Sequence, residues 1–86
     1  MNKKENLQKR LGRISGQIRG VGRMLENDKY CIDIITQTSA IKSAISSLED
    51  ELLKSHLSHC VVDQVQHGKE KKAVEEILKV YKLKIR

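Results

Sequence analysis

The stretch that decides the fold is residues 30–66, which read YCIDIITQTSAIKSAISSLEDELLKSHLSHCVVDQVQ. Its larger apolar side chains recur at the spacing of one helix face, and they are Ile34, Ile35, Ile41, Ile45, Leu48, Leu52, Leu57 and Val61. About 36 residues of α-helix extend over about 54 Å, whereas a compact chain of this size has a radius of gyration of about 12 Å. One copy of so small a protein leaves much of this helix uncovered. The pattern therefore predicts that a second copy packs along it.

Two further helices flank this stretch and account for nearly all of the chain. The first is predicted over residues 4–26, where apolar residues step by four and three: Leu7, Leu11, Ile14, Ile18, Val21 and Leu25. Gly68 is predicted to end the second helix, because glycine readily adopts the conformation that closes a helix. The third is predicted over residues 69–82, with a stripe of Ala73, Val74, Ile77, Leu78 and Tyr81. We therefore expect residues 1–86 to form one all-α domain of three helices that pairs into an antiparallel bundle.

The net charge of +6 lies entirely in the first quarter of the chain. Residues 1–23 hold seven basic side chains and one acidic side chain, whereas residues 24–86 hold ten of each sign. A basic segment on a neutral body is typical of a surface for nucleic acid, although a solvated helix face has a similar composition. The chain lacks about 18 consecutive apolar residues and an apolar signal segment. We expect a cytoplasmic protein without a membrane span, and one too small for an enzyme's enclosed pocket.

The first helix predicts where nucleic acid binds. Gly12, Gly16 and Gly20 are spaced by four residues, opposite the apolar stripe. Such a line lets a phosphate backbone approach closely, or alternatively lets another helix pack closely. The candidate phosphate contacts are Lys9, Arg10, Arg13, Arg19 and Arg23, and Gln17 is the candidate reader of base edges. Because neither a helix-turn-helix motif nor an aromatic platform is recognisable, we expect phosphate contacts combined with readout of DNA shape.

Three residues of the second helix are candidate metal ligands. His56 and Cys60 are four residues apart, so they project from the same helix face, although such a pair is more often a packed cysteine beside a histidine. Cys31 would lie about 38–44 Å from that pair along one straight helix. In an antiparallel pair of helices, Cys31 of one copy meets His56 and Cys60 of the other when the two-fold axis passes between Ala44 and Ile45. Small residues surround that point, so the helices can approach closely there.

The chemistry of this set favours a soft metal ion. The two cysteines of an intracellular protein are expected to be reduced, and thiolates select Cu(I) or Zn(II). Three protein ligands suit a trigonal Cu(I) site, whereas Zn(II) prefers four and would recruit water. His59 points away from this face and His67 lies at the helix end, so both are expected to be solvated.

Four motifs together resemble the copper-sensing repressors of the CsoR family, and the resemblance covers essentially the whole chain. They are RISGQIRG at residues 13–20, YCID at 30–33, QTSA at 37–40 and HLSHC at 56–60. The resemblance implies an all-helical dimer that pairs into a tetramer and represses by binding operator DNA when metal-free. Binding of Cu(I) releases such repressors and turns on copper homeostasis genes. The resemblance also implies Cys31, His56 and Cys60 as the Cu(I) ligands, with Tyr30 and Glu76 as the residues that support them.

Related sensors provide the alternatives. A persulfide sensor of this fold would keep Cys31 and Cys60 but would not need His56. A nickel or cobalt sensor uses additional histidines and replaces the second thiol, and the formaldehyde sensor relies on an N-terminal proline that this chain lacks. Copper is therefore the best fit, and a thiol- or persulfide-responsive repressor using Cys31 and Cys60 is the alternative.

Overall fold

The structure is a computed structural model that describes residues 3–85, and all of its regular elements in that range are helices. In chain order they are α1 (Lys3–Glu26), α2 (Cys31–Ser55), a π-helix (His56–Val61), α3 (Val62–Gln66) and α4 (Glu70–Lys84). The all-α class and the three predicted helical segments are confirmed. The first segment begins one residue earlier than predicted, the second begins one residue later, at Cys31, and the third is shifted to 70–84.

The turn between α1 and α2 is closed by a residue with left-handed backbone. Asp28 has φ 50°, a conformation that aspartate tolerates better than most residues. The Lys29 amide donates to the Met24 carbonyl at 3.0 Å and the Asp28 amide donates to the Leu25 carbonyl at 3.2 Å. These two bonds form a Schellman motif, which satisfies the last carbonyls of α1.

By its internal contacts the chain divides into two compact units, one ending at Glu51 and one beginning at Leu52. In the first unit, α1 and α2 form an antiparallel helical hairpin. Lys3 lies 3.6 Å from the Glu51 carboxylate, and the Arg10 guanidinium donates to the Ser47 hydroxyl at 2.9 Å. The buried apolar side chains of this unit are Ile14 and Ile41, which lie on facing helices and exclude water from the hairpin.

The apolar stripe of α1 divides into two faces. Ile14 is buried and Leu7 and Val21 are half-buried, so the positions seven residues apart pack within the unit. The three positions that follow each of them by four residues, Leu11, Ile18 and Leu25, remain 53–62% exposed. One stripe at the predicted spacing therefore includes both a face that the chain covers and a face that it does not.

The predicted second helix changes its hydrogen-bond pattern at His56–Val61, where six residues form a π-helix between α2 and α3. The Ser58 hydroxyl donates to the Lys54 carbonyl at 2.9 Å, and this kind of back-bonding perturbs and bends helices. A π turn contains an additional residue relative to an α turn, and such turns occur frequently at functional sites.

The second unit is also a hairpin, in which α3 returns to α4 through residues 67–69. Gly68 has φ 72°, its amide donates to the Val65 carbonyl at 3.2 Å, and the Lys69 amide donates to the Gln64 carbonyl at 2.7 Å. This is a second Schellman motif, and it confirms Gly68 as the end of the helix. Ala73 is buried at 2% exposure, because a small side chain at this position of α4 lets the neighbouring helix approach closely.

The described residues bury few apolar side chains. Only Ile14, Ile41 and Ala73 are buried apolar residues among them, while sixteen large hydrophobic residues are exposed. Much of the apolar surface of each unit is therefore in contact with water. None of the helices in the described range is long and apolar enough to cross a membrane.

Candidate metal centre and nucleic-acid surface

Two of the three predicted metal ligands lie in the π-helix. His56 is its first residue and is half-buried, and Cys60 is a free, exposed cysteine four residues later. The other histidines behave as expected from the sequence. His59 is exposed, and His67 is occupied by its own helix, since its Nδ1 lies 2.8 Å from the Asp63 carbonyl and 3.4 Å from the Asp63 carboxylate.

Glu76 of α4 faces His56. The distance from Glu76 Oε2 to His56 Nε2 is 3.8 Å, which is just beyond hydrogen-bond range. Both side chains are about one third exposed, so the pair is partly shielded from water. A carboxylate opposite Nε2 favours the proton on that nitrogen and leaves Nδ1 as a ligand atom, which is how supporting residues orient metal-bound histidines.

Sequence reasoning missed two residues that hold the Glu76 carboxylate. Gln64 Nε2 donates to Glu76 Oε1 at 3.3 Å in a partly buried bond, and Lys72 Nζ lies 4.0 Å from the same oxygen. The available signal was weak. Gln64 falls on the inner face of a short helix, but a glutamine at such a position carries no distinctive motif.

Cys31 and Tyr30 lie at the other end of the predicted second helix. Cys31 is the first residue of α2 and is free and exposed. Tyr30 precedes the helix, and its carbonyl accepts bonds from the amides of Asp33 at 3.0 Å and Ile34 at 3.3 Å. Its ring is exposed. Within the described residues of one chain, no group of three or more His, Cys, Asp or Glu side chains could hold a metal ion.

The predicted DNA-binding side chains of α1 are mostly open to solvent; those exposed are Lys9, Arg13, Gln17, Arg19 and Arg23. Two arginines fold back over the glycines. A Cβ placed at Gly16 would lie 3.7 Å from Arg19 Nη2, and one at Gly20 would lie 3.8 Å from Arg23 Nη2. A Cβ at Gly12 would meet nothing within 4 Å in the described chain, so helix packing inside the chain does not explain that glycine.

Arg10 differs from the other predicted phosphate contacts. It is half-buried, and its guanidinium bonds Ser47 of α2. Arg19 also has a hydroxyl partner, Ser15 at 2.9 Å, but that bond lies within α1 rather than between two helices. We term four exposed cations of α1 (Lys9, Arg13, Arg19 and Arg23) the basic face.

The basic face borders an open cleft of about 400 Å³ near the turn of the first hairpin. Gln17 and Arg23 line it together with Gln37 and Lys29. Amide and cationic side chains are therefore close to one another at this end of the unit. These are the side-chain types that contact bases and phosphates in DNA-binding proteins.

Comparison with known proteins connects the chain to transcriptional regulation. A family model described as metal-sensitive transcriptional repressor matches residues 3–82. The copper-sensing transcriptional repressor CsoR of Bacillus subtilis is 43% identical over 79 residues, which cover 92% of this chain and 78% of the relative. The copper-sensing repressor RicR of Mycobacterium tuberculosis is 55% identical over 65 residues, covering 76% and 68%.

The fold gives the same result. The crystal structure of CsoR with Cu(I) from Geobacillus thermodenitrificans has a TM-score of 0.91 and 40% identity to this chain, and the match covers 100% of this chain and 92% of the other. The match to the family model extends over nearly the whole chain, including the basic face, the π-helix and Glu76. The chain therefore belongs to the metal-sensitive transcriptional repressors, a class of DNA-binding regulators rather than enzymes.

Proposed function

We propose that this protein is a Cu(I)-responsive repressor, which binds operator DNA when metal-free and is released when Cu(I) binds. The observation that carries the proposal is the approach of the Glu76 carboxylate to His56, one π turn from the exposed Cys60 thiol. This arrangement orients an imidazole beside a thiol, as a metal site requires. Release from DNA would lead to expression of copper homeostasis genes.

The donor set fits Cu(I). Cys31 and Cys60 are free thiols accessible from solvent, and His56 presents Nδ1 when Nε2 faces Glu76. Two thiolates and one imidazole form a soft set of three ligands, which suits Cu(I) better than Zn(II), since zinc prefers a fourth ligand. The copper-sensing relatives and the Cu(I)-bound structural neighbour support the same metal.

We place Cys31 of one copy in the same site as His56 and Cys60 of another. Two observations support sharing: the length of the predicted second helix, and the sixteen large apolar side chains that are exposed among residues 3–85 of a single chain. Each dimer would then hold two equivalent sites, and dimers would pair into a tetramer. Residue Tyr30 would accompany Cys31 to the shared site.

The basic face would bind the operator through phosphate contacts, with Gln17 reaching base edges. Copper can release the protein only if Cu(I) has a higher affinity for the DNA-incompetent form of the protein than for the DNA-binding form. A coupling free energy of about 3 kcal/mol weakens DNA binding by about two orders of magnitude. The protein would act in the cytoplasm, where its operator is accessible.

The decisive experiment measures binding of the metal-free protein to the DNA upstream of its own gene, with and without Cu(I), under anaerobic conditions. We expect tight binding without metal and a loss of about 100-fold on addition of Cu(I). Zn(II) is the matched metal control and should release the DNA less effectively. Equal DNA affinity with and without Cu(I) would refute the proposal.

The shared site is tested by mixing two defective chains. One carries Cys31→Ser, and the other carries His56→Ala with Cys60→Ser. If ligands come from different copies, each homodimer lacks a complete site, while the heterodimer regains one from His56 and Cys60 of the first chain and Cys31 of the second. A site within one chain is incomplete in every combination. Verified heterodimers that fail to bind Cu(I) tightly would therefore exclude sharing.

The alternative is a repressor that responds to persulfides through Cys31 and Cys60, and the exposure of both thiols is the observation that favours it. A persulfide donor added to the protein on operator DNA distinguishes the two. Release by the donor but not by Cu(I) would support the alternative. Release by Cu(I) with loss of the response in a His56→Ala variant would support copper.

A further inference from the structure

We propose that Gln64 is a positioning residue that aims the Glu76 carboxylate at His56. The inference deepens the proposed function and rests on it for its consequence on DNA binding. Gln64 Nε2 donates to Glu76 Oε1 at 3.3 Å, and Glu76 Oε2 lies 3.8 Å from His56 Nε2. One carboxylate thus has its two oxygens directed to two different partners.

The chemistry fixes which end of the Gln64 amide faces Glu76. A carboxylate only accepts hydrogen bonds, so the NH₂ group must point toward it and the carbonyl must point away. That carbonyl oxygen, Gln64 Oε1, is buried and has no hydrogen-bond partner among the described residues. A buried acceptor without a partner lowers stability. The Gln64 amide is therefore better explained by its contact with Glu76 than by packing of the helices.

Lys72 is a weaker restraint on the same oxygen. Its ammonium lies 4.0 Å from Glu76 Oε1, and its side chain is 65% exposed. Exposed ion pairs within one helix contribute little because water screens them and the lysine side chain is mobile. The partly buried bond from Gln64 is the shorter and better shielded of the two, so it determines the direction of the carboxylate.

The consequence concerns the state of the His56 ring. With Oε1 held by Gln64, Oε2 is the oxygen that remains for His56, and it favours the tautomer with the proton on Nε2. Nδ1 is then ready to bind Cu(I) before the metal arrives. Without Gln64, the carboxylate turns toward Lys72 or solvent, and the two neutral tautomers of His56 become more evenly populated.

The test compares Gln64→Met with Gln66→Met. Methionine has nearly the length of glutamine and keeps apolar contact, but it donates no hydrogen bond. Gln66 lies two residues further along α3 and is exposed, so its variant controls for the change in composition. The first readout is ¹⁵N NMR of the imidazole nitrogens in the metal-free, full-length protein at about pH 8.5, where an ordinary imidazole is neutral.

We expect the His56 signals of Gln64→Met to move from the Nε2–H tautomer toward a mixture, while those of Gln66→Met match the original protein. The second readout is the factor by which a subsaturating concentration of Cu(I) weakens DNA binding, which should decrease about twofold in Gln64→Met, because the apparent affinity for Cu(I) falls with the fraction of His56 in the ligating tautomer. In a Glu76→Gln background, Gln64→Met should change that factor no further, because Gln64 acts through Glu76.

The two readouts separate the failure of this inference from failure of the proposed function. If Cu(I) releases the original protein from DNA but Gln64→Met has the same His56 tautomer and the same release, the positioning role is refuted alone. If the original protein does not respond to Cu(I), the proposed function fails, and the NMR comparison still decides the role of Gln64. An equal change in the His56 tautomer of Gln66→Met would also refute the positioning role of Gln64, since the effect would then not be specific to position 64.

Discussion

Two arginines three residues apart on α1 should behave differently when each is replaced by alanine. Arg13 is exposed on the basic face, whereas Arg10 is half-buried and donates to Ser47 of α2 at 2.9 Å. We expect Arg13→Ala to weaken DNA binding across all sequences. We expect Arg10→Ala to lower the stability of the first hairpin instead, because the Arg10 guanidinium already donates to a hydroxyl of the neighbouring helix.

The magnitudes follow from counterion release. Each phosphate contact contributes about 0.9 to the slope of log affinity against log salt. When salt rises from about 50 to about 200 mM, a variant that lacks one contact should therefore lose about 3.5-fold less affinity for DNA than the original protein. If two copies place Arg13 on the DNA, the slope decreases by about 1.8 and the factor is about 12-fold. Loss of the bond from Arg10 to Ser47 should lower the free energy of unfolding by about 1 kcal/mol.

The assay is DNA binding of the metal-free proteins over a series of salt concentrations, with urea unfolding at one fixed protein concentration. Cu(I) binding should remain near normal in both variants, which shows that the metal centre is intact. An unchanged slope for Arg13→Ala would remove that residue from the DNA surface. A slope for Arg10→Ala as shallow as that for Arg13→Ala would show that Arg10 leaves Ser47 to contact phosphate.

Three further substitutions test the metal centre and the two turns. His56→Ala should still bind DNA and hold Cu(I) weakly through its thiols, but it should stay on DNA when copper is added. Fluorescence anisotropy of labelled DNA measures the release. Normal release would show that the imidazole does not couple Cu(I) binding to DNA binding. Gly68→Ala should lower the free energy of unfolding by about 1 kcal/mol, because alanine at φ 72° is strained. Asp28→Gly should raise the free energy of unfolding by about 0.5 kcal/mol, because glycine adopts the left-handed backbone at residue 28 more readily than aspartate does. Urea titrations of the two variants would show whether either predicted change in the free energy of unfolding is wrong.

Local signals predicted the parts of the fold that depend on local energetics. Gly68 was identified as a helix end because few other residues accept positive φ, and the structure has φ 72° there. The pair of His56 with Glu76 came from the family resemblance rather than from spacing, since twenty residues and a turn separate the two in sequence. Asp28 carries the same left-handed turn as Gly68, but the tripeptide Asn-Asp-Lys indicated only that the helix breaks.

The irregular part of the centre was not predictable from periodicity. Residues four apart, such as His56 and Cys60, project from nearly the same face in an α-helix and in a π-helix. The spacing of the two ligands in the sequence therefore does not reveal that their turn contains an additional residue. The partner of Glu76 was missed for a similar reason. A hydrogen bond from Gln64 depends on how α3 and α4 pack after Gly68, and the tertiary geometry that brings the two side chains to 3.3 Å is not encoded in a motif.

The apolar stripe of α1 shows why the pattern alone identifies a buried face but not its partner. Positions 7, 14 and 21 and positions 11, 18 and 25 alternate at steps of four and three, so both series belong to one stripe on a helical wheel. The hairpin with α2 covers the first series and leaves the second more than half exposed. Transfer of such side chains from water is favourable whichever surface receives them. Periodicity therefore predicts burial equally for both series, and only the packed chain shows which series its own hairpin covers and which it leaves exposed.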